Sequence, residues 1–478
     1  MSKRTKIIAT IGPASSSPAI IARLIHAGMD AARLNFSHGE REDHVKRISM
    51  IRSEAAKAGK HIAIILDLQG PKLRVGEIKN DAALLKRNDT ILLLTKKVVG
   101  TSEQVSVTYP RLTKDLKIGD TVLLDDGRLE LRIVKKTSNA LSCKIIRGGV
   151  LKSHKGVNLP GAKLLLPSLS NKDKDDLRFG IKQGVDYIAL SFVRKARDIQ
   201  QTRSFIRSLK AEIPIIAKIE KPEAILNLEE IICEADGIMV ARGDLGVEMS
   251  PEKVPLLQKM IIEACHWAEK PVITATQMLE SMIEDPQPTR AETSDVANAI
   301  LDGTDCVMLS GETAVGKYPV QSVEFMARIA LQVETSVKPW PPDDDVAGQG
   351  ESVAHAACRA AEEQLAQAIV PFTQSGSTAL LVSKHRPRMP IIAPTPFEHV
   401  ARKVSLYWGV TPVILKAKRT TDDMIMSVEG IMLRKKLAKR HDLIVITAGV
   451  PIGVAGSTNM MKIHRVGEAT SLESKKRR

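Results

Sequence analysis

The sequence predicts an α/β protein: a closed (β/α)8 barrel, a β-rich cap inserted into it, and an open α/β domain following it. Three observations predict this. From Thr5 to about Thr335, eight short apolar runs recur, each followed by a stretch of helical period. The recurrence fails once, between Gly70 and about Leu166, where hairpin signals take over. After a Pro-rich acidic stretch a second, shorter alternation of strand and helix begins.

The eight runs are Ile7–Ile11, Ala31–Phe36, Ile62–Leu68, Tyr187–Phe192, Ile213–Ile219, Gly237–Val240, Pro271–Ala275 and Cys306–Leu309. Between them lie helix-like stretches, such as the one whose face is read as Val254, Leu257, Ile261, Ala264 and Ala268. Ala27-Gly28 and Glu234-Ala-Asp-Gly237 are helix exits. An open doubly wound sheet shares this local pattern; the number of units favours the closed barrel. Within the break, Ile91–Leu94, Thr121–Leu124 and Leu129–Val134 read as strands punctuated by Gly119-Asp120, Asp126-Gly127 and Gly148-Gly149. A domain inserted after the third barrel strand hangs on the end that carries active-site loops, where a lid belongs. The eighth helix, Val320–Thr335, precedes Lys338-Pro-Trp-Pro-Pro-Asp-Asp-Asp, an exposed linker. Beyond it, Pro390–Ala393, Thr411–Leu415 and Leu443–Thr447 alternate with helices at Val353–Gln367 and Met424–Ala438. The expected boundaries are barrel 1–70 and 167–337, cap 71–166, linker 338–350 and C-terminal domain 351–478.

Composition sets the outer limits. At 478 residues, with 43% hydrophobic and 26% charged, the chain reads as a soluble multidomain protein. No apolar run approaches the roughly 18–20 residues that cross a bilayer, so no membrane association is expected. The basic start, Ser2-Lys3-Arg4-Thr5-Lys6, is broken by Gly12-Pro13 before an export signal could form. Five scattered cysteines without a CxxC pair point to free thiols in a reducing cytoplasm, with neither disulfides nor a zinc site. A net charge of +15 suits either nucleic acid or small phosphorylated substrates. Aromatics at 3% offer little for base stacking, and Lys and Arg are spread along the chain apart from Lys475–Arg478, so no nucleic-acid partner is expected.

In a barrel the reactive groups stand at the carboxyl ends of the strands. Those ends carry Thr10; Arg33, Asn35, Ser37 and His38; Asp67; Ser191; Lys218 and Glu220; Arg242 and Asp244; Thr274 and Thr276; Ser310 and Glu312. Strand alternation puts Lys218 and Glu220 on one side. Glu220 and Asp244, from neighbouring strands, suit a hard divalent cation such as Mg2+. A lysine beside them can neutralise charge on a migrating phosphoryl group. A structural ion pair and a turn aspartate explain each residue singly; Arg33 and Asp67 on the same rim favour the mixed-sign cluster that phosphates and metals require.

Six segments resemble pyruvate kinases: Arg33-Leu-Asn-Phe-Ser-His-Gly39, Asp67-Leu-Gln-Gly-Pro-Lys72, Lys155-Gly-Val-Asn-Leu-Pro160, Ala217-Lys-Ile-Glu220, Met239-Val-Ala-Arg-Gly-Asp-Leu-Gly246 and Ala275-Thr-Gln-Met-Leu-Glu-Ser281. The resemblance runs from Thr5 to about Gly467 and implies a (β/α)8 TIM barrel with a β cap and a C-terminal regulatory α/β domain. It also implies phosphoryl transfer from phosphoenolpyruvate to ADP, giving ATP and pyruvate, in a cytoplasmic homotetramer. On this resemblance Glu220 and Asp244 hold Mg2+ (or Mn2+), Lys218 stabilises the phosphoryl group, and Arg33 binds phosphate. The amides of Gly243 and Asp244 receive the substrate carboxylate, and Thr276 sits beside the enolpyruvate. Asn35, His38, Arg74 and Lys155 meet the nucleotide, although His38 reads equally well as a rim histidine bonded to backbone.

One departure matters. Relatives that require K+ bind it with positions matching Asn35, Ser37, Asp67 and the carbonyl of Leu68, and carry glutamate where this chain has Lys72. Lys72 is expected to replace K+, and Leu68, Gln69 and Val75 resemble the same K+-independent branch. In the last domain, Thr373, Ser375, Gly376, Ser377 and Thr378 match the family's cradle for the phosphate of an allosteric effector, with Arg386 and Arg388 as helpers or mere surface charge. The chain stops soon after Ile463-His-Arg-Val-Gly467, so the extra C-terminal domain of some bacterial relatives is expected to be absent. The alternatives are another phosphoenolpyruvate or keto-acid barrel enzyme, such as a carbon–carbon lyase, and a basic nucleic-acid-binding protein.

Overall fold

The computed structural model describes residues 3–162, 164, 166–336, 348–418, 420–450 and 458–468. Eight parallel strands close into a barrel: Lys6–Thr10, Ala31–Asn35, Ala63–Asp67, Tyr187–Leu190, Ile215–Ile219, Gly237–Ala241, Val272–Ala275 and Cys306–Leu309. The first strand pairs with both the second and the eighth, with Thr10 opposite Arg33 and Lys6 opposite Cys306, which excludes the open sheet. All but the second are buried along their whole length, the reason their sequences are apolar without alternation. The fifth strand starts at Ile215 instead of Ile213 because Pro214, lacking an N–H, stands between them.

Contacts divide the chain into two compact units, one of residues 67–181 and 189–261, the other of residues 1–66, 182–188 and 262–478. In the former, the cap is a six-stranded sheet in the order Val157–Asn158, Thr121–Leu124, Leu129–Lys136, Ala140–Arg147, Thr90–Leu94, Gln104–Ser106. Alternating residues of these strands, among them Ile91, Leu93, Val122, Leu124, Leu131, Ile133, Leu141 and Cys143, form its core. A separate two-stranded sheet pairs Gly149–Lys152 with Ala82–Leu85. The helix expected to bury Leu257 and Ala264 runs Val254–Trp267 but turns inward by Val254, Gln258, Ile261, Ile262 and Cys265. Leu257 and Ala264 are half-buried at its edge, and Leu256 is exposed.

The other unit contains the C-terminal sheet. Its order is Val410–Ile414, Ile391–Thr395, Ala368–Pro371, Leu443–Gly449, Thr458–Arg465, parallel except for the last strand. Helices cover both faces over two apolar clusters. They start about three to four residues earlier than expected, at Gln349 and Thr421. Most of the expected linker, like the Lys475–Arg478 cluster, lies outside the described residues.

The join between this sheet and the barrel is ionic. Asp305, at the start of the eighth strand and 1% exposed, accepts from Lys384 Nζ at 2.7 Å and Arg386 NH2 at 2.9 Å. It also accepts from the Val272 amide at 2.8 Å. Arg386 bonds the Gly303 carbonyl at 2.6 Å and lies 4.6 Å from the Trp408 ring. Arg386 is therefore an internal tie, neither an effector helper nor surface charge, while Arg388 is exposed. Burial pulls Lys384 and Arg386 below their usual ranges and the Asp305 charge opposes the shift. Removing that charge strands two buried cations. Asp305→Ala should cost about 3–5 kcal/mol and lower the apparent melting temperature, read by circular dichroism. An unchanged melting temperature would contradict the ionic tie.

Candidate active site

Lys218 sits in the strand Ile215–Ile219 and Glu220 follows it directly. The two-residue spacing brings them together: Lys218 Nζ lies 2.8 Å from Glu220 Oε1. The same ammonium lies 3.2 Å from Asp67 Oδ1, at the end of the third strand, and donates to Ser191 Oγ at 2.8 Å. All four residues are buried. Ser191, present among the strand-end residues but given no role by the sequence, donates its own hydrogen bond to the Leu68 carbonyl at 2.7 Å. An ammonium with three oxygen neighbours is fully hydrogen-bonded without water and cannot swing freely.

The turns around this centre are strained into place. Phe192 adopts φ 57°, and its amide donates to Glu220 Oε2 at 2.7 Å. Gly70 has φ 66°, and a Cβ there would stand 2.8 Å from the Phe192 ring and 3.1 Å from Ser191 Cβ. Its amide is held by Asp173 Oδ1 at 3.0 Å. Nothing in the sequence pattern marks the Phe192 amide; only the fold reveals it.

After the sixth strand comes the short helix Arg242–Glu248, with Gly243 and Asp244 in its first turn. Burial raises the Glu220 carboxyl above the ordinary range; Lys218 opposes this and the nearby Asp244 charge adds to it. Desolvation of Glu220 thus outweighs the ammonium that faces it, and a divalent cation would stabilise the charged carboxylate further. Among the described residues no three ligating side chains converge. Glu220 and Asp244 could hold a hard divalent cation whose other positions go to water and substrate oxygens.

In the other unit, Arg33 NH1 donates to Thr10 Oγ1 at 3.1 Å, and Thr10 donates to the Leu309 carbonyl at 2.8 Å. Asn35 Oδ1 accepts from the Ser37 amide at 3.0 Å. His38 is exposed, and its carbonyl lies 3.1 Å from Nε2 of His44, which stacks on Phe36 at 4.0 Å. Thr276 and Gln277 both take positive φ, 67° and 54°. For a β-branched residue this costs about 1–3 kcal/mol and marks a constrained position. Glu312, buried, fixes the loop by accepting from the Leu279 and Ser310 amides at 3.0 and 2.7 Å.

In the cap, Arg74 NH1 donates to the His154 carbonyl at 2.9 Å, and Lys155 Nζ pairs with Asp125 at 2.8 Å. Lys72 also lies in this unit. Its ammonium stands 4.0 Å from Asp126 of the cap and makes no ion pair with Asp67; Lys218 pairs with Asp67 instead. Asp126 draws it because the turn Asp125-Asp126, both at positive φ, projects carboxylates beside Gly156. In the C-terminal domain, Gly376 at φ 96° caps the helix Ser377–Lys384, its amide bonded to Thr373 Oγ1 at 2.8 Å. Ser375 and Ser377 hydroxyls lie 3.1 Å apart, Thr378 bonds Thr458 at 2.7 Å, and Lys403 Nζ donates to the Ser375 carbonyl at 3.1 Å.

Comparison with known proteins agrees in both halves of the chain. The family model "Pyruvate kinase, barrel domain" matches residues 2–323, and "Pyruvate kinase, alpha/beta domain" matches 351–464. The chain is 48% identical to the pyruvate kinase of Geobacillus stearothermophilus, over 98% of this chain and 81% of that protein. The pyruvate kinase of Staphylococcus haemolyticus gives 48% over the same shares. A crystal structure of a pyruvate kinase from Cryptosporidium parvum superposes with a TM-score of 0.89 at 39% identity, over 97% of this chain and 96% of that one.

The turn geometry makes a direct test. Gly70→Ala should push Phe192 and Ser191 apart at a cost of about 1–3 kcal/mol and lower turnover tenfold or more in a folded protein. Turnover equal to that of the unaltered chain would show that the turn does not position the centre.

Proposed function

The chain belongs to the pyruvate kinase family of phosphotransferases, and from that premise we propose how its own residues carry the reaction. The family reaction moves the phosphoryl group of phosphoenolpyruvate to ADP, giving ATP and pyruvate. The observation that carries the reading is Lys218 fixed between Asp67, Ser191 and Glu220, with Asp244 close enough to act on Glu220. Glu220 and Asp244 would hold Mg2+ or Mn2+, which supplies Lewis-acid neutralisation of substrate oxygens when bound.

Lys218 stabilises negative charge on the phosphoryl group in flight, its ammonium pre-aimed by three oxygens at no reorganisation cost. Arg33 binds the phosphate, with Thr10 fixing one arm of its guanidinium. The amides of Gly243 and Asp244 receive the substrate carboxylate. Thr276, held at positive φ, stands beside the enolpyruvate and aids its protonation. Asn35, His38, Arg74 and Lys155 contact ADP. By the family resemblance Asn35, Ser37, Asp67 and Leu68 match the positions that bind K+ in relatives, and the Lys72 ammonium supplies the charge of that cation. Thr373, Ser375, Gly376, Ser377 and Thr378 hold the phosphate of a regulatory metabolite, with Lys403 bracing the turn. The protein works as a cytoplasmic homotetramer.

Two assays test this reading, both following pyruvate release by coupling to lactate dehydrogenase. Lys218→Met should lose about 100–1,000-fold in kcat, while KM for phosphoenolpyruvate changes only a few-fold. Retained kcat would remove the lysine from the chemistry. In tetramethylammonium buffer the unaltered chain should turn over fully. A rise of more than tenfold on adding KCl would show that Lys72 does not replace the cation.

A further inference from the structure

Away from the strand ends, a cleft of about 690 Å³ opens between the barrel helix Arg41–Lys57 and the C-terminal helices Glu398–Val404 and Thr421–Arg434. Its lining carries five permanent cations, Arg52, Lys60, Arg402, Arg434 and Lys435, against one carboxylate, Glu398. That imbalance is not a loose surface effect, because the buried carboxylate of Asp186 is already spent. Asp186 accepts from Arg52 NH2 and the Ile64 amide on Oδ2, at 2.7 and 2.8 Å, and from Arg402 Nε on Oδ1 at 2.7 Å. Arg52 also donates to the carbonyls of Ile62 and Gly184, at 2.8 and 3.0 Å. Lys60 is tied to the Ile25 carbonyl at 2.9 Å.

The other cations are uncommitted. Arg402 engages only its Nε, and its two terminal nitrogens have no partner among the described residues. Arg434 and Lys435 are exposed and form no ion pair among the described residues. His61 feels the result: burial lowers its pKa, the charges of Lys435 and Arg402 lower it further, and Glu398 at 3.3 Å only partly opposes them. Apolar side chains such as Ile62 and Ile431 supply a floor. A concave site of this volume, apolar below and cationic at the rim, is built for a small anion with an organic body.

We propose that this cleft binds a phosphate monoester of a small metabolite, separately from the turn at 373–378. The guanidinium of Arg402, anchored at one nitrogen by Asp186, presents its other two as a fork that matches phosphate oxygens, with Arg434 and Lys435 completing the charge. The location has a consequence. Asp186 precedes the strand Tyr187–Leu190 and caps the strand Ala63–Asp67 through Ile64. Those strands run on to Ser191 and Asp67, the two residues that hold Lys218 beside Glu220.

The test uses radiolabelled inorganic phosphate as the probe, in equilibrium dialysis of the full chain at constant chloride. The double variant Arg434→Glu/Lys435→Glu, whose side chains are exposed and whose folding is checked by circular dichroism, should bind one phosphate fewer per chain than the unaltered protein. Ser377→Asp should lose a different phosphate, so that combining the three substitutions removes both. Equal stoichiometry in the unaltered chain and the double variant overturns the proposal. So does binding that a threefold increase in chloride abolishes entirely, which marks unspecific ion exchange. Neither result bears on the phosphotransfer reading, which rests on other residues.

Discussion

A buried ammonium is the constraint on which the rest of this structure depends. Lys218 is 8% exposed, and taking its charge out of water costs several kcal/mol unless oxygen partners replace the lost hydration. Asp67, Ser191 and Glu220 do so from three successive strands of the ring, which forces the third, fourth and fifth strands to end at matched heights. The barrel is thus more than a scaffold; the side-by-side pairing of its third, fourth and fifth strands is what lets residues 67, 191 and 218 meet although they are far apart in sequence. The same centre explains local irregularities. Gly70 is needed because any Cβ would strike Phe192, and Phe192 accepts a left-handed backbone because its amide then reaches Glu220. Such strain persists only where surrounding contacts over-determine it.

Charge is handled differently at the two ends of the barrel. At the carboxyl ends, burial raises the Glu220 carboxyl above its ordinary range although Lys218 opposes it. At the amino ends, acids are spent on structure: Asp305 joins two C-terminal cations and Asp186 joins two arginines. The excess there is positive.

Much of this was legible in the sequence. Apolar runs without alternation marked doubly buried strands, and their polar final residues marked the rim, because both signals follow from burial and are local. The i, i+2 pair Lys218 and Glu220 was readable for the same reason. What could not be read depended on partners distant in the chain. The inward face of Val254–Trp267 is rotated toward Gln258 and Cys265, a choice made by what the helix packs against. Arg386 looked like surface charge until Asp305 and Trp408 enclosed it. Ser191 gave no sign of its role because a serine at a strand end is common, and the Phe192 amide has no side-chain signature at all. The neighbour of Lys72 in this structure is Asp126, a residue 54 positions away in a turn whose backbone sequence reasoning does not resolve.

The proposed metal site consists of Glu220, whose carboxyl burial raises, and Asp244, beside Lys218. Electron paramagnetic resonance of Mn2+ added to the full chain with phosphoenolpyruvate measures this directly. The account predicts about one tightly bound Mn2+ per chain, with affinity at least about tenfold weaker in both Glu220→Gln and Asp244→Asn. Unaltered Mn2+ affinity in both variants would contradict it.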